Sequence, residues 1–276
     1  MSAAGVLDLG FRRDGGGRSV VRHRRQRFPL RMTVPFHLDA AAADMAFVYV
    51  QNPTGGVFAD DRLSTSVVAD ERARVHLTTQ SATKLYRMEG GEARHELDFE
   101  LGEGAYVEHI PDPLIPHAGT RYRQSTRVEL APDAAFVAVE TIGPGRRARG
   151  ERFAYDLVEL GTEARRDGRV LCAETLRLEP ARSRPDRAGA LGDWDYLVTL
   201  LAVAPEHDAA ALSAALDAAL AAEPDVLGAA GELPRGAGAV ARVLAASAPD
   251  AERALRSGWA AIRRSLVDLP LPEVRK

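Results

Sequence analysis

From Gly55 to Gly168 a turn signal falls every dozen or so residues, and that cadence restricts the fold more than any other property of the chain. The interruptions are Gly55-Gly56, Gly90-Gly91, Gly102–Gly104, prolines 111, 113 and 116, Pro132-Asp133, Gly143–Gly150 and Arg166-Asp167-Gly168. Glycine opens backbone angles closed to other residues and proline fixes φ, so each site punctuates the chain. Between them lie short alternating runs. Strands at this spacing build a sandwich, a barrel or a solenoid. No repeat of fixed period is visible, so periodicity does not choose among the three.

The middle of this region, Val67–Gly104, reads as three strands near Ala73–Thr79, Ala82–Met88 and Ala93–Leu101. The stretch TTQSATKLYR at 78–87 sets Thr78, Thr79, Gln80, Ser81, Thr83, Lys84, Tyr86 and Arg87 among small or apolar residues. One face of such a strand packs and the other hydrogen-bonds, which predicts a sheet surface used for recognition. Upstream, strands are expected at Gly5–Arg12, Ser19–Arg27, Phe36–Leu38, Ala46–Gln51 and Leu63–Val68. Downstream they follow at Tyr106–Ile110, Arg121–Leu130, Ala135–Ile142, Phe153–Glu163 with Arg169–Glu179 as a hairpin, and Asp193–Val203. The prolines between 111 and 116 predict an irregular crossing without a ladder.

The pattern changes after Pro205. Leu212, Leu216 and Leu220 form one helical stripe that Pro224 stops. Residues 225–238 read as loop and Ala239–Ala246 as a short helix. Ser247, with Asp250 three residues on, opens a last helix striped by Leu255, Trp259, Ile262 and Leu266. The expected division is a β domain over 1–203 and a C-terminal helical extension over 204–276.

Composition sets outer bounds. With 276 residues, 46% apolar and 27% charged, the chain can bury a full core. A net charge of −3 gives no pull toward nucleic acid, and no apolar run is long enough to span a bilayer. The N-terminus lacks the basic start and apolar run of a secretory signal, so a cytoplasmic location is expected. The single cysteine, Cys172, excludes an internal disulfide and a thiolate zinc cage, and reads as a small buried filler.

No arrangement for bond chemistry emerges. The seven histidines fall outside HxH and HxxxH spacing, and His109 and His117 read as polar residues around the proline loop. Glu140 stands out because it closes the apolar strand Ala-Phe-Val-Ala-Val-Glu, where an unpaired carboxylate is costly. An ion pair with Arg146, Arg149 or Arg152 is one reading, and a carboxylate lining a polar channel is the other. The loop Gly-Pro-Gly-Arg-Arg-Ala-Arg-Gly at 143–150 lacks the Gly-Lys-Ser/Thr end of a nucleotide loop, and fits a turn offered to an acidic protein.

Several stretches taken together resemble the UreD (UreH) family of urease accessory proteins: NPTGGVFADDRL at 52–63, LTTQSATKLYR at 77–87, YVEHIPDPLIPHAGTRYRQ at 106–124, ETIGPGRRARGERF at 140–153 and LRLEP at 176–180. ALRSGWAAIRRSL at 254–266 adds a weaker match. Asp60 stands where the family usually has glycine. The resemblance implies a mainly β, stacked-sheet, β-helix-like fold with C-terminal helices. It implies a scaffold and not an enzyme, with no tightly bound cofactor and with nickel in transit. Its implied partners are urease apoprotein, UreF and, through UreF, UreG, with neither nucleic acid nor membrane. A polar tunnel for nickel is part of the same implication, with Asp61, Glu140 and Glu174 as its acidic lining. The C-terminal helices and Pro111–Gln124 are the expected face for UreF. A nickel-storing or nickel-donating protein is the alternative.

Overall fold

The computed structural model describes residues 3–273. In chain order the strands are β1 (Ala4–Arg13), β2 (Ser19–Arg27), β3 (Arg31–Met32), β4 (Ala46–Gln51), β5 (Arg62–Ala69) and β6 (Arg74–Thr79). Then come β7 (Thr83–Leu85), β8 (Ala93–Leu101), β9 (Tyr106–His109), β10 (Leu114–Pro116), β11 (Arg121–Leu130) and β12 (Ala135–Ile142). The hairpin β13 (Leu157–Arg166) and β14 (Arg169–Leu178) precedes a one-turn helix α1 (Pro180–Ser183) and β15 (Tyr196–Val203). The chain closes with α2 (Ala209–Ala221), β16 (Val226–Glu232), β17 (Gly238–Ala245) and α3 (Ala248–Val267).

Successive strands alternate between two sheets. One runs β14-β13-β11-β8-β5-β1-β2 and the other β16-β17-β15-β12-β9-β6-β4-β3, with β7 and β10 off the second path. The pairs β1–β5, β5–β8, β8–β11 and β11–β13 are parallel in the first sheet, as are β4–β6, β6–β9 and β9–β12 in the second. Each circuit of the chain therefore lays one rung on each sheet, which is the β-helix-like stack. The turns that set the cadence are the corners of these rungs. Asp60 occupies its corner at φ 63°, the left-handed region where glycine is most at ease.

The core lies between the sheets. Leu7, Leu9 and Phe11 of β1, Val67 of β5 and Phe99 of β8 face Val75 and Leu77 of β6, Val107 of β9 and Phe136 of β12. A second apolar layer covers the outer face of the larger sheet, where Val137, Val139, Val198 and Leu200 meet Leu212, Leu216, Trp259 and Ile262 of the two long helices. Asp208 caps α2 by accepting from Ala211 N–H, and Ser247 caps α3 by accepting from Asp250 N–H.

Three local expectations change. Residues 226–232 and 238–245 are antiparallel strands on the edge of the larger sheet, in place of a loop and a short helix. Residues 33–38 give a single bridge, Phe36 to Phe47, and no regular strand. The proline loop does carry a ladder, because β10 pairs with β7 over three residues.

Candidate functional site: a polar cavity between the sheets

A polar layer crosses the core. In the smaller sheet His95 and Gln124 are register neighbours, as are Thr162 and Glu174. In the larger sheet Glu140, Thr199 and Arg242 lie abreast on β12, β15 and β17. All lie on inward-facing alternations, so they look at one another across the space that apolar residues fill elsewhere.

Part of this layer lines a cavity of about 130 Å³, room for a few waters. Its polar lining includes His95, His109, Gln124, Glu140, Thr141 and Asp112. Its rim comes from the 52–57 corner, the Gln80–Thr83 connection and the proline loop. Gly56 is required at that rim, because a Cβ there would collide with the Lys84 carbonyl oxygen. The polar run from Thr79 to Thr83, expected to belong to a recognition surface, keeps Gln80 and Ser81 exposed and also supplies part of the cavity wall.

Hydrogen bonds order the interior. Tyr122 Oη donates to Gln124 Oε1 at 3.0 Å, and Gln124 Nε2 donates to Glu140 Oε1 at 2.8 Å. Glu140 is pushed up to about 7, first by burial and then by the negative charge of Glu174, against the Gln124 hydrogen bond. Burial lowers His95 to about 4, and burial with the nearby histidines lowers His109 to about 3. His95 shares a 3.0 Å hydrogen bond with Thr65 Oγ1. Near neutral pH this cavity presents neutral imidazoles, hydroxyls and amides, together with Asp112 and with the Glu140 carboxyl poised between its two forms. Such donors suit a borderline divalent cation, and none holds it tightly alone. Among the described residues, no three His, Cys, Asp or Glu side chains converge on a metal site.

The three acids singled out by resemblance fall in three settings. Glu140 borders the cavity and is not ion-paired with the arginines expected for it: Arg146 binds Glu151, and Arg152 binds Asp195. Glu174 sits beside it electrostatically, with Arg242 Nη2 at 3.1 Å, and does not line the cavity. Asp61 lies apart. It is buried, and its oxygens accept from Ala3 N–H at 2.8 Å and Phe58 N–H at 2.9 Å, which ties the N-terminal strand to the 58–61 corner.

Cys172 is buried, and burial pushes its thiol up to about 11, as a filler requires. His109 enters the cavity, whereas His117 packs edge-on against Tyr86 with centroids 5.0 Å apart. Sequence reasoning does not single out His95, Tyr122 and Gln124 as site residues. The signal that could find them is alternation, since all three occupy inward positions of strands whose other inward residues are mostly apolar.

A second cavity of about 420 Å³ lies on the other face of the larger sheet, beneath the first half of α3. His76, Thr78, Tyr196, Glu252, Arg256 and Trp259 contribute to its walls. Beside it is a buried charged cluster. Glu108 accepts from Tyr106 Oη at 2.6 Å and shares a 2.8 Å contact with His76 Nδ1, while His76 stacks on Trp259.

The family model described as UreD urease accessory protein matches residues 3–276. The chain is 38% identical to the urease accessory protein UreD of Mycolicibacterium gilvum over 263 residues, 95% of each protein. It is 34% identical to UreD of Cenarchaeum symbiosum, covering 98% of this chain and 95% of that one. It is 38% identical to UreD 2 of Streptomyces griseus, covering 99% and 93%. The match spans both sheets and both long helices, and the chain belongs to the UreD family of urease accessory proteins, a family that assists urease maturation without being an enzyme itself.

Proposed function

We propose that this protein is a cytoplasmic scaffold that binds urease apoprotein and UreF, receives UreG through UreF, and passes nickel through its interior toward the urease metallocentre. The observation that carries the reading is the polar cavity between the two sheets. Interiors of this size are normally filled with apolar side chains at close packing. Here Glu140, Gln124, Tyr122, His95 and His109 are gathered around a water-sized space instead. A conduit must bind weakly enough to release, and dispersed single donors with one titrating carboxyl meet that need. The division of labour follows the architecture. The two stacked sheets, with β16 and β17 at the edge of the larger one, form the interior, while α2 and α3, with the Pro111–Gln124 segment, offer the face for UreF.

The test is complementation in cells lacking the native factor. Expected are co-purification with UreF and urease subunits and restoration of nickel to urease. Folded protein that retains neither partner overturns the scaffold. Saturable, tight nickel binding by the isolated chain would favour storage over transit.

A further inference from the structure

The rung stack has an open end. β2 closes the smaller sheet and β3 the larger, so each offers an edge that no further rung covers. β3 pairs with β4 only at Gln51 and Val50. Beyond it, residues 33–38 follow the β4 edge through few backbone bonds: Thr33 N–H donates to the Tyr49 carbonyl, and Phe36 and Phe47 exchange a pair. Arg24 stands opposite Leu9 in the β1–β2 register, on the side that is core in β1, and is nonetheless exposed. The apolar filling therefore stops short of Arg24.

Two kinds of side chain gather at this end. Seven large hydrophobics are exposed among the described residues, and four of them fall within 28–38: Phe28 at 57%, Val34 at 70%, Phe36 at 43% and Leu38 at 45%. Residues 1–45 also carry eight arginines against four aspartates, with no lysine or glutamate, in a chain whose net charge is −3. All four aspartates are taken: Asp8 by Arg25, Asp14 by Arg18, Asp39 by Arg263, and Asp44 by Arg13 and Arg74. Arg12, Arg24, Arg27 and Arg31 are exposed and pair with no acid among the described residues. A terminal rung that needs only to stay soluble carries a polar outer face, and charge alone suffices to block edge pairing. Four exposed apolar side chains beside unpaired guanidiniums mark an interface instead, where aromatic residues and arginine are the enriched types.

We propose that this open end of the stack, β2 with residues 28–38, is the surface that receives the urease apoprotein, through an acidic patch of that protein with apolar side chains at its centre. The inference rests on the scaffold reading above, which gives UreF the two long helices and Pro111–Gln124. α2 and α3 pack over β12, β15, β16 and β17, toward the opposite end of the larger sheet. A partner seated at β2 and β3 leaves that face free, so both proteins are held at once. Arg24, Arg27 and Arg31 steer the acidic patch and set its register, and Phe28, Val34, Phe36 and Leu38 supply the area it buries.

Two variants at exposed positions test the surface: the charge reversal Arg24→Glu/Arg27→Glu, and Val34→Asp. The immobilised full chain is presented with purified urease apoprotein and, separately, with UreF, over a range of sodium chloride, and urea midpoints report folding. The unaltered chain is expected to bind urease apoprotein less tightly as salt rises. Each variant should weaken that binding by about tenfold or more, the size of one lost anchor, with UreF binding and the urea midpoint unchanged. The charge reversal should also remove most of the salt dependence. If one variant loses stability, the other decides. Folded variants that bind urease apoprotein as the unaltered chain does overturn the surface and leave the scaffold standing. So does loss of UreF with urease apoprotein retained, which gives this end to UreF. A dimer of the unaltered chain that both variants dissolve, with urease binding unchanged, gives the end to a second copy and overturns the proposal as well. An unaltered chain that binds neither protein overturns the scaffold reading and this surface with it.

Discussion

Arg263 of α3 places Nη2 2.7 Å from Asp39 Oδ2, and both side chains are buried, 224 residues apart in the chain. Glu108 Oε1 lies 3.4 Å from Arg263 Nε, so one guanidinium joins the last helix, the loop before β4 and strand β9. Removing one partner of a buried pair strands the other charge, at about 3–5 kcal/mol. Arg263→Leu is expected to lower stability by that order in urea unfolding. The double variant Arg263→Leu/Asp39→Asn should recover part of the loss, since it removes both charges.

The same cluster gives an acid limit. Burial alone would raise Glu108, but the hydrogen bond and charge of His76, with Arg263 and Tyr106, hold it below its ordinary 4.5. A depressed carboxylate contributes stability above its unfolded value and loses it as pH falls through the folded one. Stability should therefore drop below about pH 4.5, and Glu108→Gln should flatten that part of the curve at a cost in stability near pH 7. Urea midpoints measured from pH 7 to pH 3 decide it.

The strands are legible in the sequence because alternation and turn residues are local properties. Their sheet is not: β6 and β8 are near in sequence and lie in different sheets, a fact set by the rung geometry alone. β17 misleads because both of its faces carry apolar residues, one face buried and the other partly so. Ala239, Ala241 and Val243 pack under the helices while Val240 and Leu244 meet the core, so polarity does not alternate and alanine content suggests helix. Glu140 is visible as a charge in an apolar strand. Its partner is not, because Gln124 lies across the core on the other sheet. Arg263 cannot be told from Arg264 beside it, since only the tertiary structure buries the first.

Glu140 carries a conflict between stability and function. Its value near 7 exceeds its ordinary 4.5, so the folded protein holds this proton more tightly than the unfolded chain. A raised carboxyl is neutral without cost below the unfolded value, and stability is lost as pH rises through the folded one. At about 1.4 kcal/mol per unit, the charged form costs on the order of 3 kcal/mol at pH 8. Glu140→Gln should thus raise stability by about 1–3 kcal/mol at pH 8 and leave it unchanged near pH 4. The same variant should deliver less nickel to urease with the complex intact. A variant that is both more stable and less effective would separate a transport role from a structural one.

Glu174 acts on that carboxyl through space. Its negative charge helps raise Glu140, and its own partner is Arg242. Glu174→Gln removes the repulsion and frees the guanidinium, and both changes favour the charged form of Glu140. The fall in stability above Glu140's ordinary 4.5 should level off at a lower pH, and the total loss between pH 4 and pH 8 should shrink. An unchanged profile would mean that burial alone sets Glu140, leaving Glu174 only its ion pair with Arg242.

Asp61 should behave differently from both. Its two oxygens are committed to Ala3 and Phe58 N–H groups, and it does not border the cavity. Asp61→Asn keeps one acceptor and leaves the second donor facing an amide. A lost hydrogen bond to a charged group amounts to about 1.5–3 kcal/mol, and the asparagine variant should lose stability of that order. Nickel delivery per folded molecule should stay at the level of the unaltered chain, since the cavity lining is untouched. Measuring delivery against the soluble folded fraction separates the two effects: a deficit that persists after this correction would put Asp61 on the nickel path, and its absence leaves Asp61 as the tie between the N-terminal strand and the first rung corner.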